Sequence, residues 1–402
     1  MSTFSSRHFW LHLLSSFRRR VRKLSLILTM SPMSLFGVFA LLILSRPTPL
    51  STDYPRQDNP PYQQVSLLFM GDIMQHMPQV EAAWNDSLQK YIYDSCFTYI
   101  KPVISSYDLA IANLETTLAG KPFSGYPAFS SPDELVLGMI NAGIDLAGTA
   151  NNHCCDRGGH GLKRTVGILD SLGLDHFGTY KDMDSYSREN PKMIRKNGIS
   201  LAFLNYTYGT NGIPVPEGTV VSLIEKERIR QDLEKAKDSL PDKIIIFIHW
   251  GEEYQREPNA YQKDIAEFCF ENGADIIIGS HPHVLQPMEW RTADSLNKEK
   301  LVVWSLGNYV SNQRKRYTDG GAMVGLVLRK ENGRTTLKEA TYQLTWVYNP
   351  LVKGKRQYYI LPAARFETDT SFMDKDSFGA LGTFLDDSRE LMQKNIRFTE
   401  KR

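Results

Sequence analysis

Short apolar runs that stop at polar residues recur along the chain between positions 65 and 306. The runs are rich in Ile, Val, Leu and Phe and are too short for helices, which is typical of strands buried on both faces of a sheet. Seven segments have this pattern: Val65–Met70, Leu109–Ala112, Ile144–Ala150, Ile199–Asn205, Ile244–Ile248, Ala274–Ile278 and Leu301–Leu306. A hairpin is predicted over Gly321–Tyr342, because Asn332-Gly333 is a tight-turn signal.

Helical patterns separate several of these runs. The clearest starts at Ser131-Pro132-Asp133-Glu134, where proline in the first turn and two acids favour a helix N-terminus. The predicted helices are Pro132–Ala142, Gly158–Leu172, Ile224–Leu240, Tyr261–Asn272 and Ser377–Asn395. Strands that alternate with helices predict an α/β fold. Residues 65–362 suffice for one large core or two tightly packed halves, and the tail over residues 363–402 either packs on this body or is loosely attached.

The first 64 residues have a different pattern. Leu24–Leu44 contains 21 residues without a charged side chain, which at a rise of about 1.5 Å per residue spans a bilayer core. A basic segment (1–23) precedes it and a proline-rich linker (45–64) follows. We expect a signal-anchor helix, because the chain after Ala40 lacks the small-residue pattern of a cleaved signal peptide. The positive-inside rule then predicts a single-pass protein with a cytoplasmic N-terminus and a body outside the membrane.

The charge of the chain is unevenly distributed. The total is +2, and residues 1–46 contain seven basic and no acidic side chains, which leaves −5 for the rest. A mildly acidic body gives no reason to expect nucleic acid as a partner. Four cysteines exclude a disulfide-dense scaffold. Cys96 and Cys269 are expected in the core, and the neighbouring Cys154 and Cys155 are either an oxidised pair or two buried thiols.

Potential metal ligands follow the apolar runs. Three are a carboxylate or an amide, and four are histidines: Asp72, Glu115, Asn152, His153, His249, His281 and His283. Because ligands of α/β sheets bind at the carboxyl ends of strands, these side chains are expected to meet at one edge. Such a mixture of nitrogen and oxygen donors suits Zn, Mn or Fe. Each residue alone could instead belong to a turn, a helix cap or the interior, but together they predict a shared metal site.

Six motifs together resemble the poly-γ-glutamate capsule biosynthesis family (CapA-like), a branch of the calcineurin-like metallophosphoesterase fold. The resemblance runs from about Val65 to about Pro362. The motifs are GDIM (Gly71–Met74), NLE (Asn113–Glu115), ANNHCCDRGGHG (Ala150–Gly161), HWGEEY (His249–Tyr254), GADIIIGSHPHVLQPME (Gly273–Glu289) and SLGNYV (Ser305–Val310). The resemblance implies a layered α-β-β-α sandwich that holds two divalent metal ions side by side.

The resemblance also implies roles for individual residues. Asp72 and His283 resemble ligands of the first metal, and Glu115 resembles the bridging carboxylate. The residues that resemble ligands of the second metal are Asn152, His249 and His281. His153 resembles the neighbouring histidine that donates a proton or holds the transition-state oxyanion. Further candidates for contacts to the ligands or the substrate, with packing as the alternative for each, are Asn113, Trp250, Glu252, Gln286 and Asn308.

One position departs from the family's pattern. Members of the fold have a histidine two residues after the first aspartate, where this chain has Met74. The first metal is therefore short of a ligand unless His76 supplies it. The aromatic residues of the loop Gly120–Ser131 either line a groove beside Glu115 or pack the loop.

The function implied by the resemblance is capsule or poly-γ-glutamate production in the bacterial cell envelope. The protein would be a metal-dependent hydrolase or transferase, anchored in the cytoplasmic membrane, with an anionic polymer or a phosphoester as substrate and membrane proteins of polymer synthesis as partners. Two alternatives remain: a non-catalytic assembly or export component, and a general metallophosphoesterase.

Overall fold

The computed structural model describes residues 62–291 and 299–402, in which two β-sheets pack face to face. In chain order the strands are β1 (Gln63–Ile73), β2 (Trp84–Asn85), β3 (Lys90–Tyr91), β4 (Leu109–Leu114), β5 (Leu146–Gly148), β6 (Asp175–Phe177), β7 (Thr179–Tyr180), β8 (Lys192–Lys196), β9 (Ile199–Thr207), β10 (Val220–Val221), β11 (Lys243–His249), β12 (Ile276–Ser280), β13 (Met288–Arg291), β14 (Lys300–Val303), β15 (Asn308–Val310), β16 (Gly320–Glu331), β17 (Arg334–Tyr348), β18 (Leu351–Val352), β19 (Lys355–Arg356), β20 (Tyr359–Pro362) and β21 (Thr399–Glu400).

Helices cover the outer faces of the two sheets, and the C-terminal helix packs on the core between them. In chain order they are α1 (Met77–Ala83), α2 (Asp94–Phe97), α3 (Lys101–Ile104), α4 (Glu134–Ala142), α5 (Gly158–Leu172), α6 (Met183–Glu189), α7 (Lys226–Asp238), α8 (Ala260–Glu271) and α9 (Lys375–Met392), with a 3₁₀ turn at Ala363–Phe366. None of the helices in the described ranges has both the length and the apolar character needed to cross a membrane. The predicted anchor, 24–44, and its basic flank, 1–23, lie outside the described residues.

The first sheet has the order β20-β17-β16-β1-β4-β5-β6 within the described residues, with β15 beside β1 and β21 beside β17. Strands β1, β4, β5 and β6 are parallel, whereas β16, β17 and β20 continue the sheet in antiparallel fashion. The second sheet has the order β13-β14-β12-β11-β9-β8, with antiparallel strands at both edges. The predicted hairpin is therefore β16-β17.

Alternation along the central strands produces the layers. In β1, Leu67 and Phe69 face the second sheet, and Phe69 meets Phe247 of β11 edge to face at 6.4 Å between ring centroids. The intervening Leu68 and Met70 face the helices of the first sheet. In β9, Leu204 likewise packs under α7 and α8. The expected α/β fold with α-β-β-α layers is thus confirmed, because each sheet buries one face on its partner and the other on helices.

Two predicted strands are shorter than expected. The run Ile144–Ala150 forms a strand only over Leu146–Gly148. The run Leu301–Leu306 leaves the second sheet after Val303, and Leu306 then donates to the carbonyl of Gly279 and accepts from the amide of Ala322 in the first sheet. This segment crosses between the sheets in a fully buried path, so its apolar composition does not reveal where the strand ends.

The C-terminal residues pack on the body. Helix α9 contributes Leu381, Phe384 and Leu385 to the core between the sheets, and β21 pairs in parallel with β17. Arg389 in α9 forms ion pairs with Glu367 and Glu400, which ties both ends of the tail together. Of the two arrangements expected for residues 363–402, the packed one is observed.

Candidate metal centre

The carboxyl ends of parallel strands from both sheets meet at one rim. Asp72 is the second-last residue of β1, and Glu115 directly follows β4. His249 is the last residue of β11, and His281 directly follows β12. Gly71 is required beside Asp72, because a Cβ at this position would lie 2.0 Å from the carbonyl oxygen of Gly307. This close approach lets the amide of Asp72 donate to the same carbonyl at 3.1 Å.

The first group of ligand atoms belongs to Asp72, Glu115 and His283. All three side chains are buried, and their donor atoms lie within 4.8 Å of one another. His283 Nδ1 is 3.2 Å from Asp72 Oδ2. Asn113 Nδ2 donates to Asp72 Oδ1 at 2.7 Å and reaches Glu115 Oε2 at 3.4 Å. One amide thus orients both carboxylates, which places Asn113 in direct contact with the group.

Glu115 provides the first test of whether this group fits a metal. Its Oε1 is buried and has no hydrogen-bond partner among the described residues, although the Nε2 atoms of His249 and His283 are each 3.7 Å away. Burial and the neighbouring Asp72 charge raise the pKa of Glu115 well above its usual range. An unpartnered buried carboxylate is costly, and a divalent cation would satisfy it. The residues therefore fit a divalent ion.

His249 provides the second test. Its Nε2 lies 2.9 Å from Asn152 Oδ1 and 3.1 Å from His281 Nδ1, in addition to the Glu115 oxygen. Imidazole carries at most one proton on this nitrogen, so hydrogen bonds cannot satisfy three acceptors at once. A cation can be shared by all of them. Asn152 Oδ1, His281 Nδ1 and Glu115 Oε1 thus surround His249 Nε2, and these atoms are candidate ligands of a second ion.

A further group consists of Glu253, His281 and His283, whose donor atoms also lie within 4.8 Å of one another. His283 thus belongs to both groups. His281 and His283 have left-handed backbones, with φ of 97° and 57°. Such conformations are uncommon for residues other than glycine and concentrate at functional sites.

Two histidines of the rim, His249 and His281, are held neutral. Burial lowers the pKa of His249 well below its usual value and that of His281 to about 3, and nearby imidazoles add to the shift. Neutral imidazole is the form that binds metal. Ser280 Oγ contacts His249 Nδ1 at 2.9 Å, and Asn308 Oδ1 contacts His283 Nδ1 at 3.1 Å. These contacts orient the rings.

His153 is paired with Asp156. Its Nδ1 lies 2.8 Å from Asp156 Oδ2, and both side chains are buried. Since an ionised carboxylate only accepts, the proton resides on Nδ1 and leaves Nε2 free for chemistry. Phe129 packs edge-on against His153, with 4.6 Å between ring centroids, and its amide donates to Asp156. The loop Gly120–Ser131 therefore packs at its Phe129 end.

Three of the five residues proposed to contact the metal ligands or the substrate lie away from the two ligand groups. Trp250 is fully buried, stacks on Trp304 and donates to its carbonyl oxygen. Gln286 is buried and donates to the carbonyls of the loop after β11. Glu252 is exposed and lies next to Asn259. For Trp250 the packing alternative is observed, because its ring fills the core under the second sheet.

Met74 and His76 do not complete the first group. Met74 is buried. His76 begins α1, where its Nδ1 faces Gln79 Oε1 at 3.2 Å, and it belongs to neither ligand group. The cysteines likewise stay outside these groups. Cys154 and Cys155 are two buried thiols with their sulfurs 3.9 Å apart, and Cys96 and Cys269 are buried as expected.

Sequence reasoning missed two functional candidates. Asp156 follows His153 by three residues, a spacing that could have revealed the pair. Glu253 directly follows the predicted Glu252, and both lie only a few residues after the end of β11. Only the path of the loop decides between them.

The two packed sheets and the cluster of carboxylates and histidines at one rim define a layered α/β protein with a candidate metal centre. Residues 66–313 match the family described as "Bacterial capsule synthesis protein PGA_cap", and the chain belongs to this family. It is 28% identical over 291 residues to "Capsule biosynthesis protein CapA" of Bacillus anthracis, covering 68% of this chain and 66% of that one. It is 28% identical over 242 residues to "PGA biosynthesis protein CapA" of Bacillus subtilis (strain 168), covering 59% and 62%. The matches span somewhat less than two thirds of these relatives.

Solved structures with a related layout include the calcineurin-like phosphoesterase YfkN from Bacillus subtilis. It is 17% identical and has a TM-score of 0.42, with coverage of 70% of this chain and 90% of that one. The NAD nucleotidase (NadN) of Haemophilus influenzae is 13% identical with a TM-score of 0.45, with coverage of 85% and 64%.

Proposed function

We propose that this protein is a metal-dependent hydrolase or transferase of bacterial capsule production that acts on an anionic polymer. The supporting observation is the Oε1 of Glu115, which has no hydrogen-bond partner among the described residues and is buried between the imidazoles of His249 and His283. The names of the two Bacillus relatives support a capsule polymer, with poly-γ-glutamate as the first substrate to test. Residues 24–44 anchor the protein in the cytoplasmic membrane, and the body lies outside, where polymer-synthesis membrane proteins are its partners.

The chain's own residues have distinct tasks in this proposal. Asp72, Glu115 and His283 would hold one divalent ion, and Asn152, His249 and His281 together with Glu115 would hold a second. Bound ions would supply Lewis-acid activation of the scissile group and a nucleophile at neutral pH. When both ring nitrogens are protonated, His153 would donate the Nε2 proton to the leaving group and become neutral, while its Nδ1–H stays hydrogen-bonded to Asp156.

Met74 supports one competing function, that of a non-catalytic assembly component. Its thioether is a poor ligand for a hard divalent ion, and His76 is committed to the start of α1. The first metal would then have few protein ligands. The two functions differ in whether turnover, or only polymer assembly, depends on His153.

The experiment is a turnover assay of full-length protein loaded with Mn, Zn or Fe, with a chromogenic phosphodiester and a γ-linked glutamate polymer as substrates. We expect His153→Ala to lower kcat by about 10²-fold or more, with unchanged metal content. His160→Ala is the matched control, because this exposed histidine lies on α5 and its ring hydrogen-bonds to the carbonyl of Ala119. Absence of turnover by the wild type with every metal would remove the enzymatic function and leave the assembly role.

A further inference from the structure

Two half-exposed tyrosines lie over the buried histidines of the rim. Tyr208 is 41% exposed and Tyr254 is 42% exposed, whereas His249, His281 and His283 are all buried. An aromatic ring left open beside buried polar groups offers a ligand both an apolar face and a hydroxyl group. These two side chains are therefore the first aromatic surfaces that a molecule approaching this rim would meet.

The histidine rings form a row with His281 in the middle. Ring centroids are 4.7 Å apart for His249 and His281 and 5.9 Å apart for His281 and His283. Tyr208 lies 4.5 Å from His281 and 6.4 Å from His249, and its plane is within 11° of the His249 plane. Tyr254 lies 6.3 Å from His283. The two tyrosines thus cover opposite parts of the row.

Backbone hydrogen bonds fix both tyrosines to the histidine segments. The amide of Tyr208 donates to the carbonyl of His249 at 3.0 Å, and the amide of Tyr254 donates to the carbonyl of Pro282 at 2.8 Å. Tyr254 has a left-handed backbone with φ of 67°, a conformation that bulky residues adopt only where the surroundings impose it. The rings are therefore held in place before any ligand arrives.

One end of the row carries a cation. Lys315 Nζ lies 5.2 Å from the centroid of the Tyr254 ring. Lys315 is exposed, and within the described residues it has no ion-pair partner. An anionic group placed beside Tyr254 would therefore find an available positive charge.

We propose that Tyr208 and Tyr254 bind an extended acidic polyamide chain that lies along the histidine row, with a carboxylate of the chain on Lys315. This inference rests on the proposed function, since the polymer would be the substrate. Planar amides and methylene groups of the chain pack on the tyrosine faces, and the hydroxyls donate to its oxygens. A compact phosphate ester would reach the metal ligands and leave at least one tyrosine uncovered, so the two rings favour a linear chain.

The test is equilibrium binding of a fluorescent γ-linked glutamate oligomer, longer than the histidine row, to the full-length metal-loaded protein. We expect Tyr208→Ala and Tyr254→Ala each to weaken binding about tenfold, with smaller losses for the phenylalanine variants. Tyr261→Ala is the matched control, because Tyr261 is 43% exposed on α8, and we expect no change. An α-linked glutamate oligomer should bind in the same way, and the metal content of all variants should equal that of the wild type.

The inference would be overturned if the wild-type protein failed to bind the oligomer, or if Tyr261→Ala weakened binding as much as the other two alanine variants do. Tighter binding of a polyphosphate of similar charge would also overturn it. A fall in metal content in the tyrosine variants would also overturn it, because the rings would then serve only to hold the histidines. Wild-type protein that hydrolyses the small phosphodiester but does not bind the oligomer would remove this inference and leave the proposed metal-dependent hydrolysis intact. Protein that binds the oligomer without any turnover would support this inference and remove the proposed hydrolysis.

Discussion

Replacing Glu115 by glutamine should have opposite effects on the metal-free and the metal-loaded protein. The carboxylate is buried, its Oε1 is unpartnered, and its donor atom lies within 4.8 Å of that of Asp72. Without a metal, this oxygen can only repel Asp72 or take up a proton. Glu115→Gln keeps the shape of the side chain and removes the charge, so the metal-free protein should become more stable and the metal should bind poorly.

The size of the stability gain in Glu115→Gln follows from the separation of the Glu115 and Asp72 carboxylates. Two unit charges no more than 4.8 Å apart repel by about 3 kcal/mol or more at an effective dielectric constant of about 20. Because the pKa of Glu115 is raised in the fold, protonation relieves part of this repulsion, so we expect a gain of about 1–3 kcal/mol near pH 8. Above pH 4.5, Glu115 binds more protons in the folded protein than in the unfolded chain. The free energy of unfolding of the wild type therefore falls as the pH rises. The advantage of the variant should therefore grow with pH and vanish near pH 4.5.

The assay is thermal unfolding of chelator-treated, full-length protein between pH 4.5 and 8, with and without added Mn or Zn. A gain of this size should raise Tm by a few degrees, and the metal-induced rise in Tm seen for the wild type should disappear. Glu252→Gln is the control, because Glu252 is exposed and outside both ligand groups. A variant that is less stable than the wild type without metal, or that keeps the full metal-induced rise, would refute the reasoning.

Three further outcomes are expected. Phe247→Ala should cost about 3–5 kcal/mol in urea unfolding, since the ring fills the core between the sheets; a cost near zero would contradict the packing. Asp156→Asn should lower kcat without changing KM, because the Nδ1–H of His153 loses its negatively charged acceptor; an unchanged kcat would argue against the pair. Burial lowers the pKa of His76 to about 4, so the stability that neutral His76 contributes is complete above pH 6.5 and is lost as the pH falls towards 4. His76→Gln should therefore make Tm less dependent on pH between 6.5 and 4, and an unchanged dependence would contradict this prediction.

The apolar composition and the length of the runs predicted the central strands, because those strands are buried on both faces and end at the rim. The positions of Asp72, Glu115 and His249 followed from the same feature, since the carboxyl end of a parallel strand is where its side chain becomes available to a ligand. The crossing of the chain between the sheets at Leu306 could not be predicted, because its residues are as apolar as those of the strand before it.

Side chains carried on loops were harder to predict. The choice between Glu252 and Glu253 depends on the turn that brings the chain back towards Pro282, and no periodic pattern describes that turn. Trp250 follows His249 directly, but its side chain points to the opposite face of the second sheet and packs under α8. Tyr208 follows β9 at the rim and had no motif to distinguish it.

The most direct test of a metal centre is the metal content of full-length wild-type protein after loading with Mn, Zn or Fe and exhaustive dialysis, measured beside Glu115→Gln. We predict about two divalent ions per chain for the wild type and a clear loss for the variant, whose bridging carboxylate is gone. Wild-type protein that retains no ion from any of the three metals, or a variant that retains as much as the wild type, would contradict the central claim.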